Sequence, residues 1–484
     1  MTQKVQRAML LINYDLGWAQ LASTTMANHS TSDQEYASAI DLNTEAGFQK
    51  LGEVGAYPFA QVDTTAEDHT LYEDVHLTGR AFSDNLDWLI GAEVLDQQDA
   101  NGILNATSPC ALTAKSGICG GTPTHHICYE LLPTSTACPA TYGAIFGAQS
   151  NEPQRYLSEA IYGSLKYRIR SFSITAELRY TNDDKKASQT VDDLYTGVQY
   201  AKPSSYTFGA DRTSYTVTAA YDLPGDWRDM LYAKVGTGYR AGGINAGTSS
   251  PFAPTPFHAT YGDEDTISEE AGIKGNLTRL IYFTFDAYQS QTNNAITNIN
   301  DGCTALNACG QAATAFNVNG GTVRAHGLEL AVDSKFALLG GTFSLSLNGA
   351  NQHAKFISVP TTYPGLPIQG SPVAQIPVWT DSLTVDYTHP LTSDLTGFAH
   401  VVLNSQQGGG QDTVTSNAPY VPMDRINDLS LRTGVDYKKL EVAVFAQNML
   451  NETVELLKLE SAGIPLTVRY NEPRTFGANL IYRW

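Results

Sequence analysis

Three stretches of this chain carry residue types able to do chemistry. The first, "GYRAGGINAG" at residues 238–247, combines four glycines with one arginine. A glycine-rich loop of this kind can cradle phosphate, but a dinucleotide fingerprint needs G-x-G-x-x-G opening a helix. Here Gly236, Gly238 and Gly242 give G-x-G-x-x-x-G, and no helical pattern follows. The second, "CGGTPTHHIC", sets His125 and His126 between Cys119 and Cys128. Imidazoles and thiolates bind zinc or copper. Adjacent histidines on a loop do not easily share one ion, however, and oxidised cysteines are no longer thiolate ligands. A disulfide-stapled surface loop is the plainer expectation, and a metal or ligand contact the alternative. The third is a scatter of carboxylates and bases at alternate positions of several segments: Glu177, Arg179, Glu270, Lys274, Glu329, Asp428, Arg432, Asp436 and Arg483. Paired carboxylates can serve acid–base catalysis. No spacing singles out a pair, and no Ser–His or Asp–His motif is present, so no catalytic residue, no cofactor and no metal site is assigned.

These residues sit on elements with a period of two. In "SFSITAELRYT", Phe172, Ile174, Ala176, Leu178 and Tyr180 share one face, and Ser173, Thr175, Glu177, Arg179 and Thr181 the other. "TFSLSLNGA" and "NDLSLRTGVDY" alternate in the same way. Such alternation predicts strands with one apolar and one polar face. The strands come in pairs joined by short polar turns, such as "YDLGW" at 14, "KGNLTR" at 274 and "DYKKL" at 436. Much longer links separate the pairs. Residues 99–152 form the longest, expected to be an extracellular loop, and carry Cys110, Cys119, Cys128 and Cys138. Residues 297–315 form another, with Cys303 and Cys309. An even number of cysteines confined to loops predicts disulfides in an oxidising compartment, with the pairing among the first four left open.

The chain has 484 residues and a net charge of −19. Nucleic acid is excluded as a partner, because phosphate binding needs a basic face. No apolar run is long enough for a transmembrane helix, but a transmembrane strand needs only about 9–11 residues, half of which face the lumen. Short turns at one end, long loops at the other, and 26 tyrosines, many near strand ends, predict an all-β, large antiparallel transmembrane barrel. A soluble sandwich would have shorter strands, of about 5–6 residues.

The motifs, in order, give a family likeness. "ITAELRYTNDDKK", "LYAKVGTGYRAGGIN", "SEEAGIKGNL" (Glu270, Gly272, Lys274), "HGLELAVD" (Gly327, Glu329), "VFAQNMLNETV" and the closing "PRTFGANLIYRW" together resemble the C-terminal barrel of a TonB-dependent outer-membrane receptor. The likeness is strong from about residue 150 onward. It implies a place in the bacterial outer membrane and energy-coupled uptake of a scarce ligand, such as a siderophore, cobalamin or glycan. Leu480, Tyr482 and Trp484 would be the signature read by the barrel assembly machinery. Lipid and lipopolysaccharide, a small extracellular ligand and, given an N-terminal part, an inner-membrane coupling protein would be the partners. No plug, coupling box or signal peptide is recognisable, and about 17 strands are countable against 22 in the family. Residues 1–484 are therefore read as one N-terminally truncated barrel domain. It would either close in a narrower register or be unstable alone in lipid. A passive porin-like channel and a surface-binding barrel are the alternatives.

In this reading, Tyr232, Lys234, Gly236, Gly238 and Arg240 share the lumenal parity, and Leu231, Ala233, Val235 and Tyr239 the lipid-facing parity. Gly236 and Gly238 leave room for another backbone, which the likeness makes the plug. Arg240 and Tyr239, with His125 and His126, are the candidate ligand contacts. The plainer alternative packs Arg240 among lumenal carboxylates.

Overall fold

The structure is a computed structural model. It describes residues 2–39, 56–111, 146–193, 204–225, 229–245, 260–300, 315–361, 366–411, 420–461 and 464–484. The alternating stretches are strands: β1 (Thr2–Asp15), β2 (Gln20–Ala39), β3 (Ala56–Ala81), β4 (Leu86–Ala111), β5 (Phe146–Ile169), β6 (Phe172–Asp193), β7 (Ser204–Asp222), β8 (Met230–Arg240), β9 (Gly243–Ile244), β10 (Thr260–Tyr261), β11 (Glu264–Thr278), β12 (Ile281–Asn293), β13 (Ile296–Asn300), β14 (Ala315–Asn319), β15 (Thr322–Leu338), β16 (Gly341–Ser358), β17 (Trp379–Pro390), β18 (Leu395–Gln407), β19 (Ile426–Tyr437), β20 (Leu440–Gln447), β21 (Glu455–Ser461), β22 (Ile464–Tyr470) and β23 (Thr475–Tyr482).

A single antiparallel sheet holds 17 of them. Each wall strand pairs with the wall strand before it. The wall steps from β8 to β11, from β12 to β15 and from β20 to β23. The strands skipped at these steps make separate small hairpins, β9–β10, β13–β14 and β21–β22.

Tight turns set the pairing register. Leu339 and Gly340, between β15 and β16, both take positive φ (48° and 79°), the geometry whose twist matches a two-residue hairpin. Strand parity then fixes two faces. Leu71, Ile90, Ile161, Leu165, Leu178, Leu328, Val444 and Leu480 all stand on the outward face, between 47% and 73% exposed. A soluble sheet buries such a face; a row of exposed branched side chains running across the wall is a lipid-facing band. Phe476, Leu480 and Tyr482 of β23 belong to the same face, and Trp484 is 98% exposed.

Among the described residues the sheet does not close on itself: β1 pairs only with β2, and β23 only with β20. All of β1 is exposed, with Met9 and Leu11 on one face and Leu10 and Ile12 on the other. The narrower closure raised by the sequence is therefore not the arrangement seen. An unpaired edge leaves backbone donors and acceptors without partners, which is costly in lipid.

The strands also reach further than their alternation. β4 continues to Ala111 and β5 begins at Phe146, so residues 99–111 and 146–152 belong to the wall and not to a loop. These parts are made largely of small and polar residues, Ala, Asn, Gly and Ser among them. Once a strand rises clear of lipid both faces are wet, and the period-two signal fades. Residues 112–145 lie outside the described residues, and with them Cys119, His125, His126, Cys128 and Cys138. Cys303 and Cys309 lie outside as well, and for Cys110 only the strand backbone is described.

Candidate functional site

The inner face of the wall is a field of hydroxyls, carboxylates and guanidinium groups. On β3–β6 they match one another. Asp74 accepts the Tyr162 hydroxyl and lies 2.7 Å from Nδ1 of His76. Glu93 receives a fork from Arg179, at 2.7 and 3.3 Å, and that guanidinium lies 5.6 Å above the Tyr162 ring. Asp183, only 2% exposed, accepts hydroxyls from Tyr156 (2.8 Å) and Tyr239 (2.7 Å). Further round, Glu270 accepts from Tyr232 (2.7 Å) and Lys234 (3.2 Å), and Lys274 stands over the Tyr232 ring at 5.9 Å. Near the last strand, Glu441 is 6% exposed and receives both Arg432 and, at 2.6 Å, Arg483.

At β8 the wall changes course. β7 and β8 pair only as far as Thr216 and Gly236. Beyond that point the Tyr215 amide donates to the Thr237 hydroxyl at 3.1 Å, and the ladder to β7 stops. The upper end of β8 leans inward over β6 and β7. This corrects the parity of Tyr239: its hydroxyl reaches buried Asp183 inside the wall and not lipid. Alternation assigns a face only while a strand is flanked on both sides, and here β8 has parted from β7 while staying paired with β11 as far as Arg240.

The glycines read differently too. A Cβ on Gly236 would meet Thr216 Oγ1 at 3.0 Å, so its close neighbour is β7; around Gly238 nothing lies within 4 Å. The glycine that admits another backbone is Gly242. A Cβ there would fall 2.2 Å from the Tyr261 carbonyl oxygen, which a side chain cannot tolerate. The approaching backbone is the chain's own, at residues 261–262. Around it Gly242 donates to Asp263 (2.8 Å), Lys185 donates to the Gly242 carbonyl (2.7 Å), and Arg212 pairs with Asp263. Arg240 forms a two-pronged pair with Glu264, both contacts at 2.9 Å, and Glu264 also accepts the Ile296 amide at 2.7 Å. Arg240 thus fastens β8 to β11 and to the start of β13.

The structure brings Arg179, Tyr239 and Arg240 to one lumenal rim, and Glu270 with Lys274 to the wall beside it. Glu177 is exposed on the same face as Arg179. Glu329 faces Asp286 across β12 and β15. Arg432 is far round the sheet, on β19. Sequence reading missed Asp74, Glu93, Asp183 and Glu441. Apart from His76, two positions from Asp74, their partners lie 9–88 positions away, so local pattern announces little of them. The one available signal is a carboxylate at a lumenal parity.

Between β12 and β18 the inner face opens on a cavity of about 700 Å³. Asp286, Glu329, Asn348, Ser382 and Asn404 are among its lining residues. Its lining offers fixed hydrogen-bond donors and acceptors, an arrangement suited to holding a polar molecule.

Known proteins place this architecture. The ferric yersiniabactin uptake receptor FyuA from Yersinia pestis superposes with a TM-score of 0.71 at 14% identity, over 99% of this chain and 61% of that one. The siderophore receptor PiuA from Acinetobacter baumannii gives 0.66 at 15%, over 99% and 64%. The ferric preacinetobactin receptor BauA from the same organism gives 0.60 at 13%, over 99% and 63%. The chain thus spans less than two thirds of the length of these receptors, and at such identity the likeness is one of fold. No curated protein sequence matches it. The model of the TonB dependent receptor-like β-barrel matches residues 6–449, and the chain belongs to that family.

Proposed function

We propose that this wall serves energy-coupled uptake of a scarce, polar ligand of siderophore-, cobalamin- or glycan-like type. Family membership puts the chain in the bacterial outer membrane, among transporters and not enzymes, with an extracellular ligand. The observation that supports the finer reading is the open lumenal cavity between β12 and β18, about 700 Å³ in volume and lined by carboxylates and amides. Ligand pockets of about 300–1,000 Å³ with a few convergent polar groups hold molecules of this size. Named relatives handle ferric yersiniabactin, a siderophore and ferric preacinetobactin, which makes ferric siderophores the first compounds to try.

Gating would require a plug, and energy coupling a segment that touches the inner-membrane protein. Lipopolysaccharide and the barrel assembly machinery would be further partners, the latter reading Leu480, Tyr482 and Trp484.

The test is a binding panel on the full chain folded in detergent micelles: ferric siderophores, cobalamin and oligosaccharides, followed by intrinsic fluorescence. One class should bind in the micromolar range or better, and Asp286→Asn with Glu329→Gln should change its affinity. Uptake in cells should then require the coupling protein. Steady conductance in planar bilayers with no ligand preference would instead establish a passive pore and overturn the proposal.

A further inference from the structure

The outer surface of the wall carries a group that uptake does not use. His29 on β2 and His69 on β3 are direct cross-strand partners. Their rings stack, with centroids 4.3 Å apart and 21° between planes. Glu67 lies two residues before His69 and so points to the same face; its Oε1 is 2.9 Å from His69 Nε2. One donor atom from each of the three lies within 4.8 Å of the other two, and among the described residues three such donors come together only here.

Strand parity gives the face. Leu71 and Val75, in step with His69, are 54% and 39% exposed and belong to the lipid-facing band. Asp74, out of step, bonds the lumenal Tyr162. The histidines therefore point outward, and they stand just above the apolar band. On the neighbouring strands this level is marked by the Asp96–Arg155 ion pair, at 2.8 Å. Gln6, Asp96 and Gln98 share with the two histidines a surface concavity of about 530 Å³. A second observation singles out the group: Nδ1 of His29 is buried and has no hydrogen-bond partner. A buried ring nitrogen without a partner is rare and calls for a reason; a metal ion takes the imidazole lone pair as a hydrogen-bond donor would.

We propose that His29, Glu67 and His69 form a transition-metal site on the outward wall, at the level of the lipid headgroups, for a borderline ion such as Zn²⁺ or Cu²⁺. Two imidazole nitrogens and one carboxylate oxygen are the donor types these ions select. Three protein donors leave a coordination position open to solvent. Mg²⁺ and Ca²⁺ require an oxygen-rich shell of about six or more ligands, which a single carboxylate does not begin to supply. The His69–Glu67 spacing of 2.9 Å needs to widen by only a few tenths of an ångström for both atoms to reach an ion at roughly 2.0–2.2 Å. Bound metal would tie β2 to β3 next to the unpaired edge at β1.

The molecule contains its own control. His326 and His353 are also direct cross-strand partners, on β15 and β16, with rings 5.7 Å apart at 14°. They face outward just above Leu328, but among the described residues no carboxylate joins them. The site proposed is thus separated from a plain histidine pair by Glu67.

The test uses the full chain, free of any affinity tag, folded in detergent micelles and titrated with ZnCl₂ by calorimetry. One equivalent should bind. His29→Gln, Glu67→Gln and His69→Gln should each weaken it by about tenfold or more. His326→Gln with His353→Gln should leave it unchanged, as should a hundredfold excess of Mg²⁺. Cu²⁺ should give an electron paramagnetic resonance spectrum with two equatorial nitrogens. Because a variant can misfold, a second measurement uses the unaltered chain: Zn²⁺ should protect His29 and His69, and not His326 and His353, from diethyl pyrocarbonate. Equal Zn²⁺ affinity in His29→Gln/His69→Gln, displacement by Mg²⁺, or equal reactivity of all four histidines with and without Zn²⁺ would each overturn the proposal.

Discussion

The two arms of the wall treat their lumenal polar groups in opposite ways. From β3 to β8 the less exposed carboxylates are spoken for, Asp74 by Tyr162 and His76, Glu93 by Arg179, Asp183 by Tyr156 and Tyr239, and Glu177 alone of those named stays exposed. From β12 to β18 Glu329 is exposed in the cavity, while Asp286, 9% exposed, lines its wall. Asp286 and Glu329 lie opposite each other with like charge, and one side-chain hydrogen bond, Ser382 to Asn404 at 2.9 Å, joins two of the described residues lining the cavity. A matched group has already exchanged water for protein and gains little from a third party. An unmatched group keeps its water and can trade it for a ligand. The first arm is therefore built for rigidity, and the second is where the proposed ligand would bind.

The largest expected effect tests the rigid arm. Asp183→Leu strands two tyrosine hydroxyls in a buried site, and leaving such donors unsatisfied costs about 1–3 kcal/mol each. Urea unfolding of the chain in micelles should show a clear loss of stability, with Asp183→Asn intermediate because it keeps an acceptor. Glu329→Gln, in the open arm, should stay within about 0.5 kcal/mol of the unaltered chain. If Asp183→Leu and Glu329→Gln unfold at the same urea concentration, the two arms do not differ as argued.

The next effect is smaller and marks the exception within the second half of the sheet. Glu441 joins Arg432 of β19 to Arg483 beyond β23. Glu441→Gln removes a charge shared by two guanidinium groups, and hydrogen bonds to charged groups contribute about 1.5–3 kcal/mol. Part of this is lost to solvent screening, since Arg483 is 59% exposed. The loss should localise to β23, read as faster hydrogen exchange there than in β15–β18. Uniform exchange would show that Glu441 does not hold the last strand.

A third prediction reads binding. Once a ligand is found, Asp286→Asn with Glu329→Gln should change its affinity by about tenfold, which is roughly 1.4 kcal/mol. Glu177→Gln, exposed on the first arm, should leave it within experimental error. The reverse result would move the binding surface to β5–β8.

Sequence alone carried the architecture far, because alternation is a local property. Phe172–Thr181 or Thr342–Asn348 shows its two faces without any neighbour, and short turns fix which strands pair. What sequence could not carry depends on partners far along the chain. Tyr239 has a lipid-facing parity and turns inward only because β8 parts from β7 at Gly236. Gly242 was legible as a glycine but not as the point where residues 261–262 cross it. Glu93 finds Arg179 across 86 positions. His29 and His69 lie 40 apart in the sequence and meet only through the register of β2 and β3. The reach of β4 and β5 was missed for a different reason, since a strand wet on both sides has no alternation to read.

The smallest effect concerns the turn after β20, outside the membrane-spanning strands. Asn448 takes φ 47° there and Asn451 φ 56°. The Asn448 amide donates to the carbonyls of Glu452 (2.8 Å) and Glu472 (3.0 Å), so the "QNMLNE" motif is a turn wired by its own side chains. Glu452 closes it onto β19: its carboxylate accepts from the Asn427 side chain (2.9 Å) and the Asn427 amide (2.6 Å). Those two bonds hold its carboxyl below the usual glutamate range. A pKa lowered by folding gives stability that is present above the unfolded value, near 4.3, and is lost as pH falls through the folded value. Hydrogen exchange in residues 448–454 should therefore accelerate as pH falls below the ordinary glutamate range, while the Arg179–Glu93 strands stay protected. Glu452→Gln should remove that pH dependence and leave the urea midpoint of the whole chain nearly unchanged. If the turn in Glu452→Gln still opens with acid as before, another carboxylate holds it, and the contrast between a rigid wall and a locally wired rim has to be redrawn at that residue.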